Sequence, residues 1–328
     1  MKPLIKLLGK PLVALIAAAS LCSLARADEI VGTHYGSQIY GAPFAVALKK
    51  GYFRQQGLDI SGILTAKGGG TSVRNLLAGD TLYAEVALPA ALSAIQEGFP
   101  IKIVSGGTDG NPGYWVTRVG ESIQRPEDLK GKRFLYTRPK SVTESVIIAI
   151  LRSHNLNAAD VKLVALDQSA GLAALEQGKV DIVPLPEPMY TQKVREGVKL
   201  QVIPWLEAKL PPYTQTVGVA TDETIAKRGD KLRAAIVARR QAVDFIYAHP
   251  QEAAAIVAEA YNMPPDLVRT VMGNTLKRFP AWWSPAHIRQ GQMEKMAEAL
   301  ASVEALKLPI PWKNIVDDRF VPIDQKGM

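Results

Sequence analysis

Short apolar strands alternate with helices along most of this chain, and most strands run into a loop that opens a helix. Parallel strands need a crossover to return the chain, and a helix is the usual one, so this order predicts a largely parallel, doubly wound α/β sheet. Ile30–Gly32 reads as the first strand and leads into a polar loop, 33–41. Pro43 then opens a helix over 44–50, with Gly51 as its left-handed stop. A strand at 58–60 runs into Lys67-Gly68-Gly69-Gly70-Thr71-Ser72 and a helix at 73–77; strands at 86–88 and 101–104 flank a helix at 89–96.

A second unit with the same rhythm is expected from about 119 to 215. Its strands are at 133–136, 161–166, 180–184 and 200–203, with a short helix at 126–130 closed by Gly131. Ser141-Val142-Thr143-Glu144 reads as a capping box opening a helix that ends near His154. Ser169 caps a helix to Gln177, and Pro188 opens one that stops at Gly197. After a strand at 216–220 the pattern turns helical: 231–248, 250–261, 265–272 and 285–306, with Trp282-Trp283 expected to staple the last. So many helices need a sheet to cover, so the chain is expected to return to the first unit near 216. The expected division is 1–27 as a leader, 28–117 plus 217–328 as one lobe and 118–216 as the other, with a cleft between lobes that the chain crosses twice.

The leader reading rests on Lys2, Lys6 and Lys10, an apolar stretch from Pro11 to Cys22, and Ala25-Arg26-Ala27, the three parts of a cleavable export signal. The apolar core is shorter than the roughly 20 residues of a bilayer span. Leu21 stands where a lipoprotein would carry a small residue before Cys22. Removal takes four bases and no acid, so the formal charge falls from +8 to +4, and the only Cys goes with it. An apolar fraction of 47% excludes a disordered chain, and one Cys excludes a disulfide scaffold. The modest remaining charge, without a basic stripe, argues against a nucleic-acid partner.

Enzyme signals are weak. His34, His154, His249 and His287 lie far apart, and none has a partner at metal spacing; no metal or cofactor is expected. There is no G-x-S-x-G elbow, and the 67–72 loop lacks the Lys that follows the last Gly of a phosphate loop. It does end a strand and start a helix, where backbone N–H groups and the helix dipole favour an anionic or strongly accepting group. The Ser141-Val142-Thr143 helix start has the same property and follows Arg138-Pro139-Lys140. Facing each other, the two could clamp a small acceptor-rich molecule.

Several stretches, in order, carry a family likeness. Gly51-Tyr52-Phe53-Arg54-Gln55-Gln56-Gly57-Leu58-Asp59-Ile60 resembles the G-Y-F-x-x-x-G-L-x-V signature of nitrate/sulfonate/taurine-type substrate-binding proteins of ABC importers. The likeness continues at Gly69–Ser72, Ala78-Gly79-Asp80, Pro126–Lys132, Ala174–Asp181 and Glu187-Pro188. It covers most of 30–215; Leu82–Glu85 and the Gly-rich stretch Gly106–Gly113, which has no assignment, depart from it.

The resemblance implies a type II periplasmic-binding fold. It is two-lobed, with each lobe a mostly parallel sheet flanked by helices and extra C-terminal helices on the first. It implies a monomeric receptor in the periplasm that closes on a small molecule and delivers it to an inner-membrane permease with its ATPase. The site it implies takes Tyr35, Gln38 and Tyr40 from the first loop, Gly70, Thr71 and Ser72 from the Gly-rich helix start, and Pro89 and Ala90 from the next strand end. The second lobe adds Ser141, Thr143 and Glu187, and Arg138 joins the expected site as the base beside the Ser141 helix start. A sulfonate or carboxylate is the first expectation for the ligand, because both helix starts suit anions. Nitrate, a pyrimidine or an aromatic acid stay open. So do a sensor that signals to a membrane kinase, and an enzyme without cysteine on the same fold acting on a small heterocycle.

Overall fold

The computed structural model describes residues 28–33, 38–66, 69–79, 81–139 and 141–323. The leader expected at 1–27 lies outside them. The first part of the chain supplies β1 (Asp28–Thr33), α1 (Ala42–Lys49), α2 (Tyr52–Gln55), β2 (Ile60–Ala66), α3 (Gly69–Ala78), β3 (Thr81–Ala87), α4 (Leu88–Gln96) and β4 (Ile101–Asp109). Gly51 sits between α1 and α2 at φ 72, a conformation a side chain would resist. The next part supplies β5 (Tyr114–Arg118), β6 (Arg133–Tyr136), α5 (Val142–Ser153), β7 (Lys162–Ala165), α6 (Gln168–Glu176), β8 (Val183–Leu185), α7 (Met189–Arg195) and β9 (Leu200–Val202). The last comprises β10 (Thr214–Thr221), α8 (Asp222–Lys227), α9 (Gly229–Ala248), α10 (Pro250–Ala260), α11 (Pro265–Arg278), α12 (Gln290–Ala301) and a closing turn, α13 (Trp312–Ile315).

The first sheet has the order β2-β1-β3-β10-β4, and only β10 runs against its neighbours. β3 is buried along its whole length, so its sequence is nearly continuous in apolar residues rather than alternating. In the second lobe β5 pairs antiparallel with β8 and β9, while β6 pairs parallel with β7. A parallel bridge between Phe134 and Ile182 joins the two pieces, with Leu135 N donating to Ile182 O at 2.9 Å. The spatial order is therefore β7-β6-β8-β5-β9, the same as the first sheet with β5 in the place of β10. In each lobe the one reversed strand is the one that enters from the other lobe.

The crossings lie at Gly110–Gly113 and at 209–213, where Gly110 N donates to Tyr213 O at 2.9 Å. Tyr114–Thr117 thus join the second sheet and Thr214–Thr216 the first, each a few residues from the boundaries expected at 117 and 216. The stretch 106–113 is not a single loop. Gly106 and Gly107 belong to β4, and the turn begins only at Gly110, φ 74. A side chain at Gly106 would start 1.8 Å from the carbonyl oxygen of His287, and one at Gly107 would start 2.3 Å from Thr216 Oγ1. These glycines admit a neighbouring backbone rather than a ligand.

The C-terminal helices return to the first lobe, where α9 and α10 pack on α1 and α12 packs on α4 and β10. Two expectations there are corrected. The helix read at 285–306 spans only Gln290–Ala301, because 283–288 runs as irregular chain against β4. Trp283 forms an antiparallel bridge with Thr108, and both tryptophans are fully buried in the core of the first lobe instead of stapling a helix.

A buried ion pair ties this lobe together. Arg239 of α9 donates from Nε to Glu85 Oε2 of β3 at 2.7 Å, from Nη1 to Ser284 O at 2.6 Å and from Nη2 to Gly107 O at 2.9 Å. Thr216 Oγ1 of β10 donates to the other Glu85 oxygen at 2.9 Å. Removing one partner of such a pair strands the other in a dry core. Glu85→Ala is expected to destabilise the protein by about 3–5 kcal/mol, read from urea midpoints; a loss below about 1 kcal/mol, the range of exposed pairs, would show that the guanidinium reaches water or another carboxylate.

Candidate functional site

A cleft of about 880 Å³ lies between the lobes. From the first lobe α3 presents Gly70, Val73, Arg74 and Leu77, a helical face of i, i+3, i+4 and i+7 spacing. Pro89 and Ala90, at the start of α4, continue that wall. From the second lobe come the turn before α5 with Thr137 and Arg138, the helix start with Ser141 and Thr143, and the strand end Pro184–Pro186. Tyr40, Asn111, Trp115 and Gln215 close it near the crossings.

The start of α5 is a compact hydroxyl cluster. Ser141 caps the helix, its Oγ accepting from Glu144 N at 3.3 Å. Thr143 Oγ1 accepts from Thr137 N at 2.9 Å and lies 3.0 Å from Thr137 Oγ1 and 2.9 Å from Ser141 Oγ. Arg138 is exposed on the same turn. Across the cleft Arg74 donates from Nη2 to Thr71 Oγ1 at 2.9 Å. Each lobe therefore brings one guanidinium to a helix start, an arrangement that attracts an anion or an acceptor-rich group.

The inner end is aromatic and rigidly held. Tyr40 donates to Gln215 Oε1 at 2.9 Å and meets Trp282 edge-on at 4.8 Å. Burial pushes the Tyr40 phenol up, so it remains a neutral donor. Trp115 Nε1 donates to Glu207 Oε1 at 2.6 Å, and Asn111 Nδ2 reaches the same oxygen at 3.4 Å. Burial likewise raises Glu207, with those two donors opposing.

Of the residues expected from sequence, Tyr40, Gly70, Pro89, Ala90, Arg138, Ser141 and Thr143 lie on this cleft. Tyr35 is outside the described residues. Thr71 is exposed and engaged by Arg74 rather than on the wall, and Ser72 is fully buried, one turn before Leu76 on the sheet side of α3. Gln38 faces a separate recess between α6–α7 and the α10–α11 turn. Glu187 is fully buried and absent from the cleft wall; it accepts from Thr191 Oγ1 at 2.8 Å and Thr191 N at 3.2 Å at the start of α7. Sequence reading missed Arg74, Thr137, Asn111 and Gln215. The spacing on α3 could have found Arg74; Asn111 and Gln215 come from opposite crossings and carry no local signal. Among the described residues no cluster of His, Cys, Asp and Glu could hold a metal ion.

The lobes also touch outside the cleft. Arg195 of α7 donates to Asp266 Oδ2 and to Thr270 Oγ1 of α11, each at 2.6 Å. Arg278, also of α11, lies 4.0 Å over the ring of Tyr114 and donates to Gly113 O at 2.9 Å. Tyr114 stacks on Tyr190 at 3.9 Å.

A family model described as NMT1/THI5 like matches residues 38–253. The Bacillus subtilis (strain 168) protein YtlA, described as a candidate binding protein, is 27% identical over 166 residues. That match spans about half of this chain and about half of YtlA, 49% of each. Among solved structures, the periplasmic aliphatic sulphonate binding protein SsuA of Escherichia coli superposes with a TM-score of 0.71 at 15% identity, covering 89% of this chain and 92% of that one. The alkanesulfonate-binding protein SsuA of Xanthomonas axonopodis pv. citri, bound to MOPS, gives 0.66 at 14%, covering 89% and 98%. The desulfurization enzyme DSZB gives 0.60 at 14%, covering 89% and 97%. At these identities the likeness is one of fold, the two-lobed periplasmic binding architecture.

The placement of Glu187 makes a prediction. Burial is the largest influence on its carboxyl and raises it above the ordinary 4.5, against the donors from Thr191 and the nearby Arg278. A carboxyl raised on folding contributes stability that is full below the ordinary value and fades as pH rises through the raised one. Glu187→Gln removes that term, so its urea midpoint is expected to gain on the wild type as pH rises above about 4.5. A gain in the opposite direction would place the carboxylate in a stabilising ion pair.

Proposed function

Because the chain belongs to the NMT1/THI5-like family, we infer that it is an ABC-type substrate-binding protein of the periplasm. In this reading residues 1–27 direct export, the mature monomer captures a small organic anion in the cleft, and the lobes close about the crossings at 110–113 and 209–213. The loaded protein then hands the ligand to an inner-membrane permease with its ATPase. The observation that carries the reading is the cleft itself, with Arg74 from one lobe and Arg138 from the other beside the starts of α3 and α5. Its apolar and aromatic walls suit an organic body and its guanidiniums a sulfonate or carboxylate head. The two SsuA proteins, which bind aliphatic sulfonates, support that choice.

A second reading, an enzyme on the same fold, is favoured by the likeness to DSZB. The two separate cleanly in solution: a receptor binds stoichiometrically, whereas an enzyme consumes what it binds.

A panel of alkyl and aryl sulfonates, carboxylates, nitrate and pyrimidines tests the receptor reading by thermal shift. The true ligand should stabilise the protein by about 3–4 kcal/mol at 100–1,000 times Kd. Arg74→Ala with Arg138→Ala should weaken a sulfonate or carboxylate by about tenfold or more, since charged hydrogen bonds are worth about 1.5–3 kcal/mol each. No shift across the panel, or an affinity indifferent to both arginines, would remove the reading, and turnover would replace it with the enzyme.

A further inference from the structure

A second cavity, of about 370 Å³, lies behind the cleft wall on the hinge side. Val146 of α5 is the one described residue lining both spaces. Helical geometry divides α5 between them: Val142, Thr143 and Val146 face the cleft, while Ser145, Val146, Ala149, Arg152 and Ser153 face the second cavity. Met296 and Ala299 of α12 form the opposite wall. The crossing segment closes it with Lys209, Leu210, Pro211 and Tyr213. The space is thus bounded by one helix of the second lobe, one that packs on the first, and the chain that joins them.

Its chemistry is divided as sharply as its walls. Val146, Met296, Ala299 and Tyr213 are buried and supply an apolar floor. The rim carries Arg152, Lys209 and Lys295, with Glu298 as the one acid. Glu298 lies 3.1 Å from Lys295 and so neutralises it. Arg152 and Lys209 are exposed and have no ion pair among the described residues. Two uncompensated cations over an apolar floor select a molecule with an apolar body and one anionic head, and the volume falls within the roughly 300–1,000 Å³ of small-molecule sites.

We propose that this cavity is a second binding site, for a small amphiphilic organic anion, distinct from the cleft. Its head group meets Arg152 and Lys209, and its alkyl body lies between α5 and α12. The site stands whatever the cleft holds. Because its walls belong to both lobes, occupancy fixes the spacing of α5 and α12, so anything that moves the lobes changes affinity here, and reciprocally.

Octanoate is the probe, titrated into the purified protein by calorimetry. A saturable octanoate site that survives Arg74→Ala with Arg138→Ala is expected, with octylamine binding about tenfold more weakly or worse. Arg152→Glu with Lys209→Glu, both exposed and harmless to the core, should weaken octanoate by about tenfold or more. Ala149→Phe, which fills the cavity from α5, should abolish binding, with its unliganded melting curve as the check on folding. The proposal is overturned if octanoate gives no saturable heat, if octylamine binds as tightly, or if the charge reversals leave affinity intact. It is also overturned if Arg74→Ala with Arg138→Ala removes the octanoate site instead, since that places the probe in the cleft. A cleft that ignores every member of the ligand panel leaves the octanoate result untouched, so the two readings fail separately.

Discussion

The ion pair between Glu85 and Arg239 is the contact on which the first lobe depends. A lone charge cannot be left in a dry core, so each group must be fully satisfied where it stands. The guanidinium spends its donors on Glu85, Ser284 O and Gly107 O, and Thr216 takes the remaining Glu85 oxygen. One cluster thereby fixes β3, β10, β4, α9 and the chain after Trp283 relative to one another. β4 and β10 are the two strands that lead to the crossings, so the cluster also sets the root of the hinge. The bare backbone at Gly107 follows from the same demand, since a side chain there would crowd Thr216 Oγ1 and the Glu85 Oε1 that it bonds.

From that root the second lobe repeats the first in space without repeating it in sequence. β5 and β10 each enter a sheet from the other lobe and each run against the strands beside them. The crossings are held side by side by the bond from Gly110 to Tyr213, so the lobes are joined by two adjacent strands rather than a flexible tether. Motion about such a joint is a rotation of two rigid bodies, the hinge class of domain closure. The contacts of Arg195 and Arg278 with the opposite lobe lie off that axis, where small rotations move them most.

The sequence was most legible where a feature is settled within a few residues. The Ser141 cap, the Gly51 stop and the strand at 133–136 depend on local backbone chemistry, and they stand where the residues place them. The cleft face of α3 was half legible, because helical spacing links Gly70 to Arg74 while Thr71 and Ser72, taken together as one motif, point away from the wall. Features decided by a distant partner were not legible. Gly106-Gly107 looked like a loop because its reason is His287 and Thr216, far along the chain. Trp282-Trp283 looked like a staple because its place in the core is set by Thr108 and Tyr40. Glu187 is expected at the cleft from the resemblance alone, and its engagement with Thr191 on α7 is visible only in the fold.

The stiffness of α5 links these levels. Its first turn is held by Thr137, Ser141 and Thr143 among themselves, and Val146, Ile147, Ile150 and Leu151 are buried behind it. A helix start fixed in this way presents its free N–H groups at a set position before any ligand arrives, so little order has to be gained on binding. The same rigidity means that α5 cannot adjust one face independently of the other. Any rotation of the second lobe would carry the cleft wall and the wall toward α12 together, since both belong to α5. The cleft and the space behind α5 therefore share one rigid wall, with Val146 on both.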